Sequence, residues 1–160
     1  MQAFDASAMM HAWDNYPIDQ FPALWAWIAA EIATQRLAIA VVALDEVGHK
    51  QPDCQAWLRD QQILRLDITA AVLREAMRIK ALLGIDEDRY SPKGVDENDL
   101  LIIAAAGVNE RELVSNEGRQ LALPKLMQNC KIPAVCGLNA VGIPCLDFLA
   151  YIRRSRAVYQ

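Results

Sequence analysis

Four acidic residues lie at points along the chain where strands are predicted to end or helices to begin. They are Asp5, Glu46, Asp99 and Glu117. In an open parallel sheet, ligands bind at the edge formed by the carboxyl ends of the strands, and these side chains are expected to gather there. Carboxylates at one edge repel one another unless a hard cation such as Mg²⁺ or Mn²⁺ neutralises them. The set therefore predicts metal-assisted hydrolysis of a phosphodiester, because such ions polarise phosphate and activate water.

Each of these acids also has an ordinary structural explanation. Asp5 is a candidate N-cap for the helix that follows it, and Glu46 is a candidate first-turn acid favoured by the helix dipole. Asp99 is placed to form a variant capping box with Asp96. Glu117 lies in a segment with turn-forming residues on both sides. The spacing alone leaves both explanations open for every one of these residues.

The elements that must position these acids alternate between strands and helices. Strands are predicted at residues 2–5, 37–44 and 112–115, with one or two more within residues 131–145. Helices are predicted at residues 6–13, 20–35, 68–83, 100–108 and 146–154, and after Pro52. The unbroken apolar run 37–44 is typical of a strand buried on both faces and should change to helix within this segment. Asp19 and Asp67 are predicted N-caps. The alternation predicts a three-layer α/β domain with a mainly parallel sheet.

Length, charge, hydropathy and cysteine content exclude several classes of protein. The chain has 160 residues, no linker and no repeat, which predicts one domain spanning residues 1–160. Its net charge of −4 excludes binding to nucleic acid through a general basic field. No apolar run is long enough to span a bilayer and the N-terminus does not resemble a signal peptide, so we expect a cytoplasmic protein without membrane contact. The four cysteines form no C-x-x-C pair, which favours reduced, buried thiols over a zinc site.

Four short blocks contain the acids. They read Phe4-Asp5-Ala6-Ser7, Val42-Ala43-Leu44-Asp45-Glu46-Val47, Asp99-Leu100-Leu101-Ile102-Ile103-Ala104-Ala105-Ala106 and Leu113-Val114-Ser115-Asn116-Glu117. In this order and at these separations the chain resembles the PIN-domain nucleases, particularly the small ribonuclease toxins of the VapC type. The third block is the most specific of the four. The resemblance covers about residues 2–153 and points to an uncharacterised PIN-like subgroup.

The resemblance implies a fold, an activity and partners. It implies a three-layer α/β/α PIN-like domain that hydrolyses RNA as the toxin of a toxin–antitoxin pair. Asp5, Glu46 and Asp99 would hold one or two Mg²⁺ or Mn²⁺ ions, and Glu117 would complete the site directly or through water. The implied partners are an RNA substrate, a cognate antitoxin and a second copy of the chain in a homodimer.

Some positions near the acids depart from the family pattern or are ambiguous. Ser115 and Glu117 stand where the family usually has Thr and Asp. Asp45 adjoins Glu46, and because neighbouring helical residues point about 100° apart, only one of them can face the site; the family pattern favours Glu46. Ser7 and Ser115 are candidates to position water or phosphate, with local capping as the equal alternative.

Contact with a polyanion would have to come from local positive charge. Lys93, Arg111, Arg119 and Lys125 are candidates to frame the acidic edge, although for any single one of them ordinary solvated charge is the favoured explanation. The basic tail at residues 153–156 could contact RNA or an antitoxin, or could complement the dipole of the last helix.

Two other classes of protein compete with a PIN-like nuclease. One is a catalytically weak PIN-like scaffold that only binds partners, an alternative that the exchange at Glu117 keeps open. The other is a haloacid dehalogenase-like hydrolase, which also has an Asp after its first strand. That class needs a second acid where this chain has Ser7, and it needs a late acidic pair after a strand. The sequence therefore favours it least.

Overall fold

The computed structural model describes residues 1–160, and at its centre is a five-stranded sheet in which every neighbouring pair of strands is parallel. The strands are β1 (Gln2–Phe4), β2 (Leu37–Ala40), β3 (Leu64–Leu66), β4 (Glu112–Val114) and β5 (Cys145–Leu146). Their order across the sheet is β3-β2-β1-β4-β5. The chain thus builds outward from β1 to β3 and then returns to place β4 on the other side of β1. Such a reversal opens a crevice at the carboxyl ends of the two strands, where sheets of this kind bind ligands.

Helices flank this sheet, and the predicted three-layer α/β/α architecture is confirmed. They are α1 (Ala6–Asn15), α2 (Pro22–Ala33), α3 (Val41–Lys50), α4 (Pro52–Asp60), α5 (Ala70–Leu82), α6 (Glu97–Val108), α7 (Ile132–Cys136) and α8 (Phe148–Ser155), with a 3₁₀ turn at Met127–Asn129. The helix α6 is almost entirely apolar because it contacts β2 and β4 on one side and α3, α5 and α7 on others. None of the helices is both long and apolar enough to cross a bilayer.

The apolar run at residues 37–44 is half strand and half helix. The strand β2 ends at Ala40, and α3 begins at Val41 with no side-chain cap. Every residue of β2 is buried, and Ala43 and Leu44 of α3 are also buried, so both halves need apolar side chains. Glu46 therefore lies in the second turn of α3, and its explanation as a first-turn acid is wrong.

The prediction of one or two strands within residues 131–145 is only partly right. The helix α7 occupies Ile132–Cys136, and only the short strand β5 follows, at Cys145–Leu146. Pro133 lies at the start of α7, where its missing N–H has no helical partner to lose. The proline that suggested a broken strand instead marks the beginning of a helix.

Two of the predicted caps and one strand also differ from the structure. The helix α2 begins at Pro22 after Phe21, so Asp19 is not its N-cap. Thr69, not Asp67, caps α5 by accepting a hydrogen bond from Val72 N at 3.2 Å. The edge strand β3 was not predicted, because three residues interrupted by the exposed Arg65 carry little strand signal.

Candidate active site

Asp5 follows β1 directly and lies at the reversal point of the sheet. Its backbone N–H donates to Val114 O at 2.9 Å, which ties it to the end of β4. Its carboxylate caps α1, because it accepts hydrogen bonds from Ala8 N at 2.7 Å and from Ser7 Oγ at 2.8 Å. The residue is only 2% exposed. Burial raises the pKa of Asp5 to about 6, against the lowering effect of hydrogen bonds from Ser115, Ala8 and Ser7.

Two hydroxyl groups join the ends of β1 and β4. Ser7 Oγ accepts a hydrogen bond from Asn116 N at 2.9 Å, and Ser115 Oγ accepts one from Glu117 N at 3.2 Å. The two hydroxyl oxygens lie 3.4 Å apart. Asn116 Oδ1 in turn accepts from Phe148 N, the first residue of α8, at 2.8 Å. Asp5 and the segment that carries Glu117 are thereby held in a fixed relation to each other.

Glu46 reaches the same edge from α3. Glu46 is half-buried and Asp45 is exposed, so Glu46 is the member of this pair that faces the site. Burial raises the pKa of Glu46, and the charges of Asp96 and Glu117 raise it further. A hydrogen bond with the Asn98 side chain opposes that rise. Glu46 is therefore close enough to the acids of α6 and β4 to interact with them electrostatically.

Asp99 and Asp96 form a reciprocal capping box at the start of α6. Asp99 N donates to Asp96 Oδ1 at 2.9 Å, and Asp96 N donates to Asp99 Oδ2 at 3.0 Å. The capping explanation for this pair is therefore confirmed, and it is compatible with a role in the site. Burial and the charges of Asp96, Glu117 and Glu46 raise the pKa of Asp99 to about 8. At neutral pH and without a cation, this carboxyl holds a proton for much of the time.

Glu117 interacts electrostatically with each of the other three acids. Its charge contributes to the raised pKa of Asp5, of Glu46 and of Asp99. Burial raises its own pKa, and the nearby ammonium of Lys131 opposes that rise. The structure thus brings all four sequence-predicted acids into one electrostatic neighbourhood at the carboxyl ends of β1 and β4.

The donor set suits a hard divalent cation in its chemistry. All four candidate ligands are carboxylates, which Mg²⁺ and Mn²⁺ prefer. Their raised pKa values report charge that burial and mutual repulsion disfavour, and a cation would relieve both. No three histidine, cysteine, aspartate or glutamate side chains converge closely enough to form a preformed metal cluster. The side chains would have to rotate for three carboxylates to share one ion.

The sequence analysis missed Asn98 and Lys131. Asn98 lines the same cavity as Glu46 and lowers the pKa of that acid, and its position next to Asp99 was the available signal. Lys131 lies 14 positions after Glu117 in sequence, and nothing in the local pattern marks it as a neighbour of that acid. Its position depends on how the intervening loop folds.

The basic residues expected to frame the edge are distributed differently. Arg111 precedes β4 and lies at the opposite edge of the sheet, so that expectation is wrong. Its guanidinium donates to the carbonyl oxygens of Gln2, Gln35 and Arg36 at 3.0–3.3 Å. Arg119 donates to Cys145 O at 2.9 Å and is engaged with the end of the sheet.

The solved structures similar to this chain include two VapBC complexes. One is VapBC2 from Rickettsia felis bound to a DNA fragment from their promoter, with 17% identity and a TM-score of 0.51. That match covers 72% of this chain and 86% of the other chain. The second is DNA-bound VapBC from Salmonella typhimurium, with 18% identity, a TM-score of 0.56, and coverage of 92% of this chain and 97% of the other. At these identities the likeness establishes the fold.

Comparison with sequences gives a complementary finding. The family model described as a domain of unknown function, DUF4411, matches residues 3–159. That range includes all four acids, both serines and Lys131. None of the curated proteins compared with the chain matches it.

Proposed function

We propose that this chain, which belongs to the DUF4411 family, is a metal-dependent ribonuclease and the toxin of a toxin–antitoxin pair. One observation carries the proposal. Four carboxylates from β1, α3, α6 and the loop after β4 interact at the reversal point of a parallel sheet, where burial and their own charges raise their pKa values. Folding would not favour such a set for stability alone, since each buried charge is costly without a counter-ion.

The residues of this chain have distinct roles in the proposed reaction. Asp5, Glu46 and Asp99 would hold one or two Mg²⁺ or Mn²⁺ ions, with Glu117 completing the set directly or through water. The ion would supply charge neutralisation at the phosphate and activation of water. The Ser7 hydroxyl orients the Asp5 carboxylate through its hydrogen bonds.

Positioning is the second contribution of the chain. The capping box fixes the Asp99 carboxylate at the start of α6, and Asp96 is the residue that holds it there. Ser115 fixes the backbone at Glu117. Rigid placement of this kind lowers the reorganisation needed when a phosphate enters the site.

The proposed partners are supported by the fold and by the sequence blocks. Both similar structures are VapBC complexes described as bound to DNA. The four acidic blocks resemble VapC-type ribonuclease toxins at the same positions of the chain. We therefore propose an RNA substrate, a cognate antitoxin that covers the acidic edge, and a homodimer, all in the cytoplasm.

A PIN-like scaffold without catalysis is the second candidate. The specific observation in its favour is that no three acids converge into a preformed metal cluster. A scaffold has no need of bound metal, whereas a nuclease of this type does. Metal binding therefore separates the two candidates before any substrate is known.

The test combines cleavage, metal binding and growth. Purified protein is incubated with mixed tRNA and rRNA in Mn²⁺ or in EDTA, beside Asp99→Asn and the exposed control Asp60→Asn. We expect cleavage that needs Mn²⁺, survives in Asp60→Asn and is lost in Asp99→Asn. Induced expression should arrest growth only with the two cleaving forms.

Two results would count against the proposal in different ways. Folded protein that neither cleaves RNA nor binds Mn²⁺ by calorimetry would refute the nuclease and favour the scaffold. Cleavage that persists equally in EDTA and in Asp99→Asn would refute the role of the acidic site.

A further inference from the structure

Lys131 brings a positive charge to an otherwise acidic edge. Its Nζ lies over Gly118, 3.7 Å from the position that a Cβ would take there. Its charge acts on Glu117, the residue that precedes Gly118 and the acid that interacts with each of the other three. The structure has four ion pairs with a nitrogen–oxygen distance of 4.0 Å or less, and none of them involves Lys131. No carboxylate oxygen therefore lies within 4.0 Å of Lys131 Nζ. The ammonium group is thus beside the acids without being neutralised by one of them.

The loop that carries Lys131 is braced across its base. Lys131 N donates to Gln120 Oε1 at 2.9 Å, and Gln120 Nε2 donates to Asn129 O at 3.0 Å. The Gln120 side chain therefore bonds to the backbone of the residues on both sides of residue 130. Lys131 is also half-buried. Its backbone is fixed in a way that an ordinary surface lysine is not.

A second brace joins this loop to the segment that leads into α6. Val95 N donates to Cys130 O at 2.9 Å, and Ser91 Oγ donates to the Asn129 side chain. At Gly94 the two backbones approach so closely that a Cβ would lie 2.0 Å from Gln128 O. The segment before Lys131 is therefore packed against the residues that precede Asp96.

We infer that Lys131 binds a phosphate of the nucleic acid substrate next to the acidic site. The inference rests on the proposed ribonuclease function. A chain with a net charge of −4 and four clustered carboxylates repels a polyanion, so at least one fixed cation is needed where the backbone enters. A lysine ammonium offers three donors on a compact charge, which suits a phosphate oxygen.

Other basic residues are less suited to this role. The guanidinium of Arg119 is engaged with Cys145 O. Lys50 acts on Glu46, but it is exposed at the end of α3, and Lys125 is exposed on the same loop as Lys131. Neither Lys50 nor Lys125 has backbone braces like those at Lys131.

The test measures Mn²⁺-dependent cleavage of a single-stranded RNA over a range of KCl concentrations. The forms compared are the parent, Lys131→Gln, Lys131→Arg and the control Arg74→Gln, which removes an exposed charge on α5. We expect Lys131→Gln to raise KM about tenfold with a smaller change in kcat, since one charge-assisted contact is lost. The slope of log KM against log salt should fall by about 0.7, the value for one phosphate contact on a single strand. Lys131→Arg should restore the slope, and Arg74→Gln should keep it.

The outcomes separate this inference from the proposed function. If the parent cleaves RNA and Lys131→Gln keeps its KM and salt slope, Lys131 does not bind phosphate and the nuclease proposal stands. If Lys131→Gln lowers the melting temperature and leaves the salt slope intact, its role is structural and the inference is overturned. A folded parent that binds no Mn²⁺ and cleaves no RNA overturns both.

Discussion

Replacing Asp5 by Asn should stabilise the metal-free protein at alkaline pH. Asp5 is 2% exposed, and its pKa is raised from 3.8 to about 6, chiefly by burial. A folded state that holds this proton more tightly than the unfolded state loses stability as the pH rises from about 3.8 to about 6. Asn keeps the capping oxygen for Ala8 N and removes the buried charge. The substitution therefore removes the cost of ionisation without removing the cap.

The size of the effect follows from the pKa. A pKa shift is worth about 1.4 kcal/mol per unit, so the rise from 3.8 to about 6 means that the ionised Asp5 lowers the unfolding free energy by about 3 kcal/mol at pH 8. At pH 4.5 the same relation gives a destabilisation of only about 1 kcal/mol, because the carboxyl of Asp5 is largely protonated in the folded protein. The difference in unfolding free energy between Asp5→Asn and the parent should therefore grow by about 2 kcal/mol over this range.

The assay is urea unfolding in EDTA at pH 4.5, 6 and 8, followed by the fluorescence of the buried Trp25. Asp60→Asn serves as the matched control, since it makes the same substitution at an exposed position at the end of α4. A parent and an Asp5→Asn variant with parallel pH profiles would refute the reasoning. That result would mean that the carboxyl of Asp5 ionises in the folded protein as easily as in water.

Three further predictions concern metal, the far edge of the sheet and the loop brace. Mn²⁺ at a hundredfold excess over its Kd should raise the unfolding free energy of the parent by about 2.7 kcal/mol, and calorimetric melting should show no such gain in Asp99→Asn. Arg111→Met should cost about 3 kcal/mol in urea unfolding, because three carbonyl oxygens lose a buried charged donor, while kcat on RNA stays unchanged. Gly94→Ala should lower the unfolding free energy by about 2 kcal/mol, since its Cβ would overlap Gln128 O. The same overlap should displace Lys131 and raise KM on RNA. An unchanged KM would contradict the idea that packing at Gly94 positions Lys131.

The sequence predicted those features that depend on local chemistry. The capping box of Asp96 and Asp99 needs only two residues three positions apart, and it is present as expected. Gly84 directly follows the helix predicted at residues 68–83, and its φ of +69° is the left-handed conformation that suits a helix end. The alternation of apolar strands with amphipathic helices likewise predicted the layered parallel sheet correctly.

Features that depend on tertiary packing were predicted less well. The run at residues 37–44 is apolar throughout, and a buried strand and a buried helix require the same side chains there, so the boundary at Ala40 left no signal. The predicted strand at residues 112–115 already placed Arg111 before β4, at the end away from the acids, but its three bonds to backbone carbonyl oxygens depend on tertiary packing. Lys131 reaches Glu117 only through a loop braced by Gln120, and no sequence period encodes that contact.

The central position of β1 has a consequence for the order in which the sheet and the acidic edge assemble during translation. β1 is translated before either of its neighbours, and one of them, β4, begins only at residue 112. Until then Asp5 lacks the bond to Val114 O, and neither Ser115 nor Glu117 has been made. Pairing over such a separation along the chain forms late in folding. The acidic edge is therefore incomplete until the segment after β4 has been translated, and a chain that ends before residue 112 would lack both Glu117 and the strand that holds Asp5 in place.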